Sequence, residues 1–155
     1  MKLATLLYIK NSNGEYLLIE RLKEPNKGLL SPPGGKIEID KAESPVNCAV
    51  REAFEECGLE TRPDDWKLLG IVTEKDYPKI GNIIIFIFEY KKSEDELPAI
   101  CNEGAFRFVH PEKLNEYNLP ETDKLFIWDF VLKNRKNEVF FLDLDCSKNP
   151  IECIK

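Results

Sequence analysis

The run from Gly34 to Leu59, GGKIEIDKAESPVNCAVREAFEECGL, constrains the fold of this chain more than any other segment. Ser44 is a good N-cap, Pro45 suits the first helical position and Gly58 suits the residue past the end, so the borders predict a helix over 45–57. Val46, Val50, Ala53, Phe54 and Cys57 recur at helical spacing, forming an apolar stripe expected to pack on a core. Roughly opposite, Glu52, Glu55 and Glu56 stand at i, i+3 and i+4 on one face. Like charges so placed cost an isolated helix about 0.2–0.5 kcal/mol per pair, so a helix built only for stability avoids them. A divalent cation removes that objection. Mg²⁺ takes oxygen ligands and is usually held by a few carboxylates, with phosphates and waters completing its octahedron.

Around this helix the pattern alternates strands and helices. Leu3–Ile9 and Tyr16–Arg21 read as strands flanking Asn11-Ser12-Asn13-Gly14, an expected hairpin turn. Residues 23–28 read as a loop leading to Ser31-Pro32-Pro33-Gly34-Gly35. Asn82–Tyr90 (NIIIFIFEY) is apolar at both alternating positions, which predicts a central strand covered on each side. Trp66–Glu74, Ala105–Val109 and Glu138–Leu144 are further expected strands. Pro111 opens a short helical turn, and Glu121–Lys133 reads as an amphipathic helix with Leu125, Trp128, Phe130 and Leu132 as its apolar positions.

At 155 residues and 43% hydrophobic, the chain is expected to form one domain over 1–155. Its net charge of −6 argues against a polymeric nucleic-acid partner, which would demand a basic stripe, while leaving room for a small polyanion. The five cysteines, at 48, 57, 101, 146 and 153, form no C-x-x-C pair, which predicts a reducing, cytoplasmic setting without disulfides or zinc. The single histidine, His110, makes no metal site. Lys10 and the Asn-Gly turn interrupt the apolar amino terminus, so neither a signal peptide nor a membrane span is expected.

Glu43, seven residues, then Arg51-Glu52-Ala53-Phe54-Glu55-Glu56-Cys57-Gly58-Leu59 resembles the second half of the signature of the Nudix hydrolases at every demanded position, with Ala53 smaller than the usual Leu or Ile. The first half departs. Seven residues rather than five separate Gly35 from Glu43, so the loop around Ile39 to Ala42 is longer, an insertion that loops tolerate at little cost. The resemblance implies an α/β/α sandwich with a mixed central sheet and a Mg²⁺- or Mn²⁺-dependent attack of water on a phosphoanhydride. It implies metal ligation by Glu52, Glu55 and Glu56 with the Gly34 carbonyl, and pairing of Arg51 with Glu43. Metal ions neutralise developing charge on a bridging oxygen and activate water near neutral pH. Glu52 or Glu56 could take the water's proton, and Glu103 in the Asn102-Glu103-Gly104 loop is a further candidate base. Lys36 and Arg21 are the cations expected to meet substrate phosphates.

The stretch Leu119-Pro120-Glu121-Thr122-Asp123, before an aromatic-rich helix, is similar to that of MutT-type members acting on oxidised purine nucleoside triphosphates, which implies contact of Asp123 with the base. An acidic residue in a first helical turn also simply complements the helix dipole. Dinucleoside polyphosphate hydrolases carry a tyrosine near the place of Tyr77, and ADP-ribose hydrolases a proline sixteen residues beyond the box, where this chain has Pro78 nineteen beyond. A non-catalytic, nucleotide-binding regulatory domain is the remaining alternative, although such domains usually lose box carboxylates retained here. Replacing Glu55 or Glu56 with Gln is expected to lower metal-dependent phosphoanhydride hydrolysis by roughly two orders of magnitude, measured as kcat/KM at saturating Mg²⁺; unchanged rates would refute the ligand assignment.

Overall fold

Alternation along the strands delivers apolar side chains to both faces of the main sheet, and each face acquires its own core. The computed structural model describes residues 1–24, 26–133 and 138–154; Pro25, within the predicted loop 23–28, lies outside them. In chain order the strands and helices are β1 (Lys2–Tyr8), β2 (Tyr16–Arg21), β3 (Leu30–Ser31), β4 (Gly34–Lys36), α1 (Pro45–Cys57), β5 (Trp66–Tyr77), β6 (Gly81–Tyr90), β7 (Gly104–Val109), α2 (Trp128–Leu132), β8 (Phe140–Asp145) and β9 (Glu152–Cys153). Six strands form a mixed sheet in the order β4-β1-β6-β5-β8-β9, with β1–β6 and β5–β8 parallel. Three form an antiparallel sheet, β3-β2-β7.

β6 lies between β1 and β5, as its doubly apolar pattern predicts. Ile85 and Ile87 face one core, with Tyr8, Leu142, Leu144 and Trp128 of α2. Phe88 and Tyr90 face the other, with Leu7, Ile9, Trp66 and the small Ala49 and Ala53 of α1. One helix thus covers each face, and the arrangement is the expected α/β/α sandwich. The first core centres on Trp128, whose ring meets Tyr8 and Tyr16 edge-on at centroid distances of 5.0 Å each. Among the described residues no helix is long and apolar enough to cross a membrane.

The α1 borders agree with the sequence. Ser44 Oγ accepts from the Asn47 N–H at 3.2 Å, and Gly58, at φ 64°, takes the left-handed conformation that suits glycine at a helix end. Its apolar stripe is corrected at Phe54, which is 56% exposed; Cys48, Ala49 and Ala53 are the buried positions. Small residues on the contact line let α1 sit close to β1 and β4, leaving the larger Phe54 outside.

Two further expectations change. The Asn11–Gly14 turn forms, its Asn11 Oδ1 accepting from the N–H groups of Asn13 and Glu15 at 3.0 and 2.9 Å. Its strands, however, bridge only at Lys10 and Tyr16 before β1 joins the six-stranded sheet and β2 the three-stranded one. Leu7, Tyr8, Ile9, Leu17, Leu18 and Ile19 are all buried, so neither strand could leave a face to solvent. The second helix opens at Glu121 and Thr122, as expected, but passes through a π-helical turn at Asp123–Ile127, and the extra residue in that turn rotates the remainder of the helix. Ile127, Trp128 and Val131 are therefore buried, whereas Leu125, Phe130 and Leu132 are exposed. On β8, Leu142 is fully buried and Phe141 is 68% exposed. Leu142→Ala is expected to cost about 2–5 kcal/mol in urea unfolding and Phe141→Ala less than about 1, although Phe is the larger side chain.

Candidate active site

The two residues added between Gly35 and Glu43 are taken up by a 3₁₀ turn, Ile39–Lys41, closed by Ala42 in the left-handed conformation (φ 50°, ψ 40°). Glu43 and α1 consequently keep their relation to the glycines. Arg51 is the clamp. Its Nε and Nη2 donate to both Glu43 oxygens at 2.8 and 3.0 Å, and Nη2 also donates to the Lys36 carbonyl at 3.0 Å. Glu38, a partner of this arginine that sequence reading missed, approaches Nε at 2.9 Å. Charge-assisted, two-pronged pairing of this kind is strong and directional. The Arg51 hydrogen bond, above all other influences, holds the Glu43 carboxyl down at about 2.

The same guanidinium reaches the expected metal ligands: Nη1 donates to Glu52 at 2.8 Å and to Glu55 at 3.1 Å. Glu52 and Glu56 line a cleft of about 610 Å³ together with Gly34, Gly35, Arg21, Lys36, Arg51, Glu103 and Asp123. Glu55 is half-exposed and stands outside it. The Gly34 N–H donates to Glu56 Oε2 at 3.4 Å, and the Glu52 carboxylate rests against Gly35 where a Cβ would stand, so a side chain there would displace it. Burial, then the charge of Glu52, pushes the Glu56 carboxyl up to about 8; burial also raises Glu52.

Among the described residues no three acidic, cysteine or histidine side chains are already drawn together around an ion. The donor chemistry nevertheless fits one: two half-buried carboxylates repelling each other beside a glycine turn form an all-oxygen set suited to Mg²⁺ or Mn²⁺. Glu103 approaches Arg21 Nη2 at 3.8 Å across the cleft and lies near enough to Glu56 to raise its carboxyl further. Its backbone carbonyl accepts from the Leu22 N–H at 2.9 Å, tying this loop to the end of β2.

The far end of the cleft differs in character. Ile80, Ile83 and Ile85 line it, with Tyr77, whose hydroxyl donates to Asn26 Oδ1 at 2.8 Å. Asp123 is buried there, its Oδ2 without a protein partner, and burial followed by Glu74 raises it to about 8. Glu74 is also buried and raised. Sequence reading does not single it out, although alternation places it on the face of the core residue Val72. Carboxyls raised in the folded state bind more protons there than in the unfolded chain between about pH 4 and 8, so stability falls as pH rises through that window; Glu43 has the opposite sign but acts below about pH 4.5. In chelator, the melting temperature is expected to drop from pH 5 to pH 8. Asp123→Asn should make that slope shallower, measured by calorimetry.

A NUDIX domain model matches residues 1–130. The ADP-ribose pyrophosphatase of Methanocaldococcus jannaschii is 30% identical over 120 residues, covering 70% of this chain and 69% of that protein. Among solved structures, a MutT protein from Bacillus halodurans superposes with a TM-score of 0.75 at 20% identity, covering 100% of this chain and 95% of that one. One from Methanosarcina mazei gives 0.72 at 26%, covering 87% and 96%. The NUDIX domain of Shewanella oneidensis NrtR, solved with ADP ribose, gives 0.66 at 17%, covering 85% of each chain. With a domain match over most of the sequence and Glu52 and Glu56 of its box brought to the glycine turn by α1, the chain belongs to the NUDIX family and is a NUDIX hydrolase.

Proposed function

We propose that this hydrolase cleaves a phosphoanhydride bond of a purine nucleoside triphosphate, oxidised or ordinary, releasing the monophosphate and diphosphate. The observation that carries the reading is one continuous cleft of about 610 Å³ with acidic, glycine-lined chemistry at one end and a buried, unpartnered Asp123 oxygen over apolar walls at the other. That volume suits a nucleotide-sized ligand.

Glu52 and Glu56 with the Gly34 carbonyl would hold Mg²⁺ or Mn²⁺, joined by Glu55 once it leaves Arg51. The ion supplies charge neutralisation and water activation. Arg51 is a positioning residue, aligning Glu52 and keeping the loop on α1. Glu103, near Glu56 and exposed enough to exchange protons, is the candidate base, with Glu52 or Glu56 as alternatives. Arg21 and Lys36 would meet the phosphates, and Asp123 the base edge.

ADP-ribose is the second reading, favoured by the relative from Methanocaldococcus jannaschii, whose name states that activity. Dinucleoside polyphosphates rest on Tyr77 alone, and that hydroxyl is engaged with Asn26. A purely regulatory domain has nothing in its favour here, since all three box glutamates are present. Purified protein with Mg²⁺ is expected to give its highest kcat/KM on purine nucleoside triphosphates in a panel including their oxidised forms, ADP-ribose and dinucleoside polyphosphates. A lead of tenfold or more for ADP-ribose would overturn the reading.

A further inference from the structure

Alternation turns Lys2, Ala4 and Leu6 of β1 to the cleft, and Lys2 alone of the three is charged. β1 lies between β4, which carries the glycine pair, and β6, which carries Ile83 and Ile85, so a ligand reaching from those isoleucines to Glu52 and Glu56 passes over it. Lys2 is half-buried and register sets it beside Ile83. Lys36, on β4, pairs with Ala4, so the two lysines are diagonal neighbours on one face, about 7–8 Å apart. Neither ammonium group has an ion pair among the described residues. Glu38, two residues past Lys36 and also lining the cleft, is held instead by Arg51 and Lys41, each at 2.9 Å. Two uncompensated like charges side by side repel, and an anion between them removes that cost, as a cation does for the glutamates of the box. Leu6 is level with Gly34 and Ala4 with Lys36, which sets both lysines further along the strands than the glycine turn. A group projecting past the reacting phosphoanhydride arrives there.

We propose that Lys2 is a substrate-binding residue: with Lys36 it holds the terminal phosphate of the nucleoside triphosphate, and the pair makes the cleft prefer triphosphates to diphosphates. A terminal phosphate presents three strong acceptor oxygens and more charge than a bridging one, enough to accept from two ammonium groups at once. Nucleoside diphosphates and ADP-ribose have no third phosphate to place between the lysines. Lys2 acts by binding and takes no part in bond cleavage. The inference rests on the nucleoside triphosphate reading.

The test measures kcat and KM for dGTP and ADP-ribose, and the KM or inhibition constant of dGDP, all with Mg²⁺, in wild type, Lys2→Met and Lys2→Arg. Lys2→Met keeps the stem and removes the charge; it is expected to raise the dGTP KM about tenfold with kcat within about threefold. The dGDP and ADP-ribose constants should stay within about twofold of wild type, and Lys2→Arg should hold the dGTP KM within about threefold. An unchanged dGTP-to-dGDP ratio in Lys2→Met overturns the proposal, while wild-type hydrolysis of dGTP keeps the triphosphate reading intact. A rise of equal size for all three ligands overturns it as well, because a general disturbance of the cleft has that effect. If Lys2→Met does not fold, the same ratio in Lys2→Gln decides. Failure of wild type to hydrolyse dGTP removes both readings.

Discussion

Arg51 joins the glycine loop to the helix, and the rest of the site depends on that joint. One guanidinium meets Glu38, Glu43, Glu52 and Glu55, while Glu56 accepts from the Gly34 N–H instead. Its two-pronged grip on Glu43 fixes geometry as well as charge, since a planar fork binds a carboxylate in one orientation. One arginine among five carboxylates leaves a local excess of negative charge. That excess, facing a cleft and flanked by backbone glycines, is where a hard divalent ion gains most and where a monovalent side chain would be insufficient.

Close backbone approach makes the cleft possible. A Cβ on Gly34 would strike the Thr5 carbonyl and one on Gly104 the Glu20 carbonyl, so these glycines let β4 lie on β1 and the Glu103 loop close onto the end of β2. Ile19 and Arg21 from the smaller sheet thereby face Ile83, Ile85 and Glu74 from the larger one across the same space. The two ends then differ in their surroundings. Burial raises a carboxyl at each, Glu56 near α1 and Asp123 at the far end, both to about 8, but glycine backbone and cations border the first and isoleucine side chains the second.

Features set by near neighbours were legible in the sequence. Ser44, Pro45 and Gly58 bound α1 because capping is settled within one turn of chain. The doubly apolar run of β6 announced a central strand, since only a strand covered on both faces tolerates it. The pairing of Glu43 with Arg51 survived a longer loop because the added residues curl into their own turn. Less legible was which apolar side chains go inside. Phe54, Leu125, Phe130 and Leu132 had suitable spacing but lie on the open side. In α1 the close contact selects alanines, and in the second helix a π-helical turn shifts the phase by a residue, which regular periodicity cannot foresee. The hairpin around Asn13 likewise forms its turn but sends its strands to separate sheets.

The amino-acid sequence by itself determined the chemistry: a helix bearing three glutamates beside paired glycines, with an arginine and a further glutamate to hold them, because those relations are local in the chain. Tertiary structure alone decided the surroundings of that chemistry. It put Glu74, 49 residues before Asp123 in sequence, beside it in the cleft wall, and ran one cleft from α1 to both. Strand register and the meeting of two sheets create that proximity, and burial there changes the protonation of the groups it brings together.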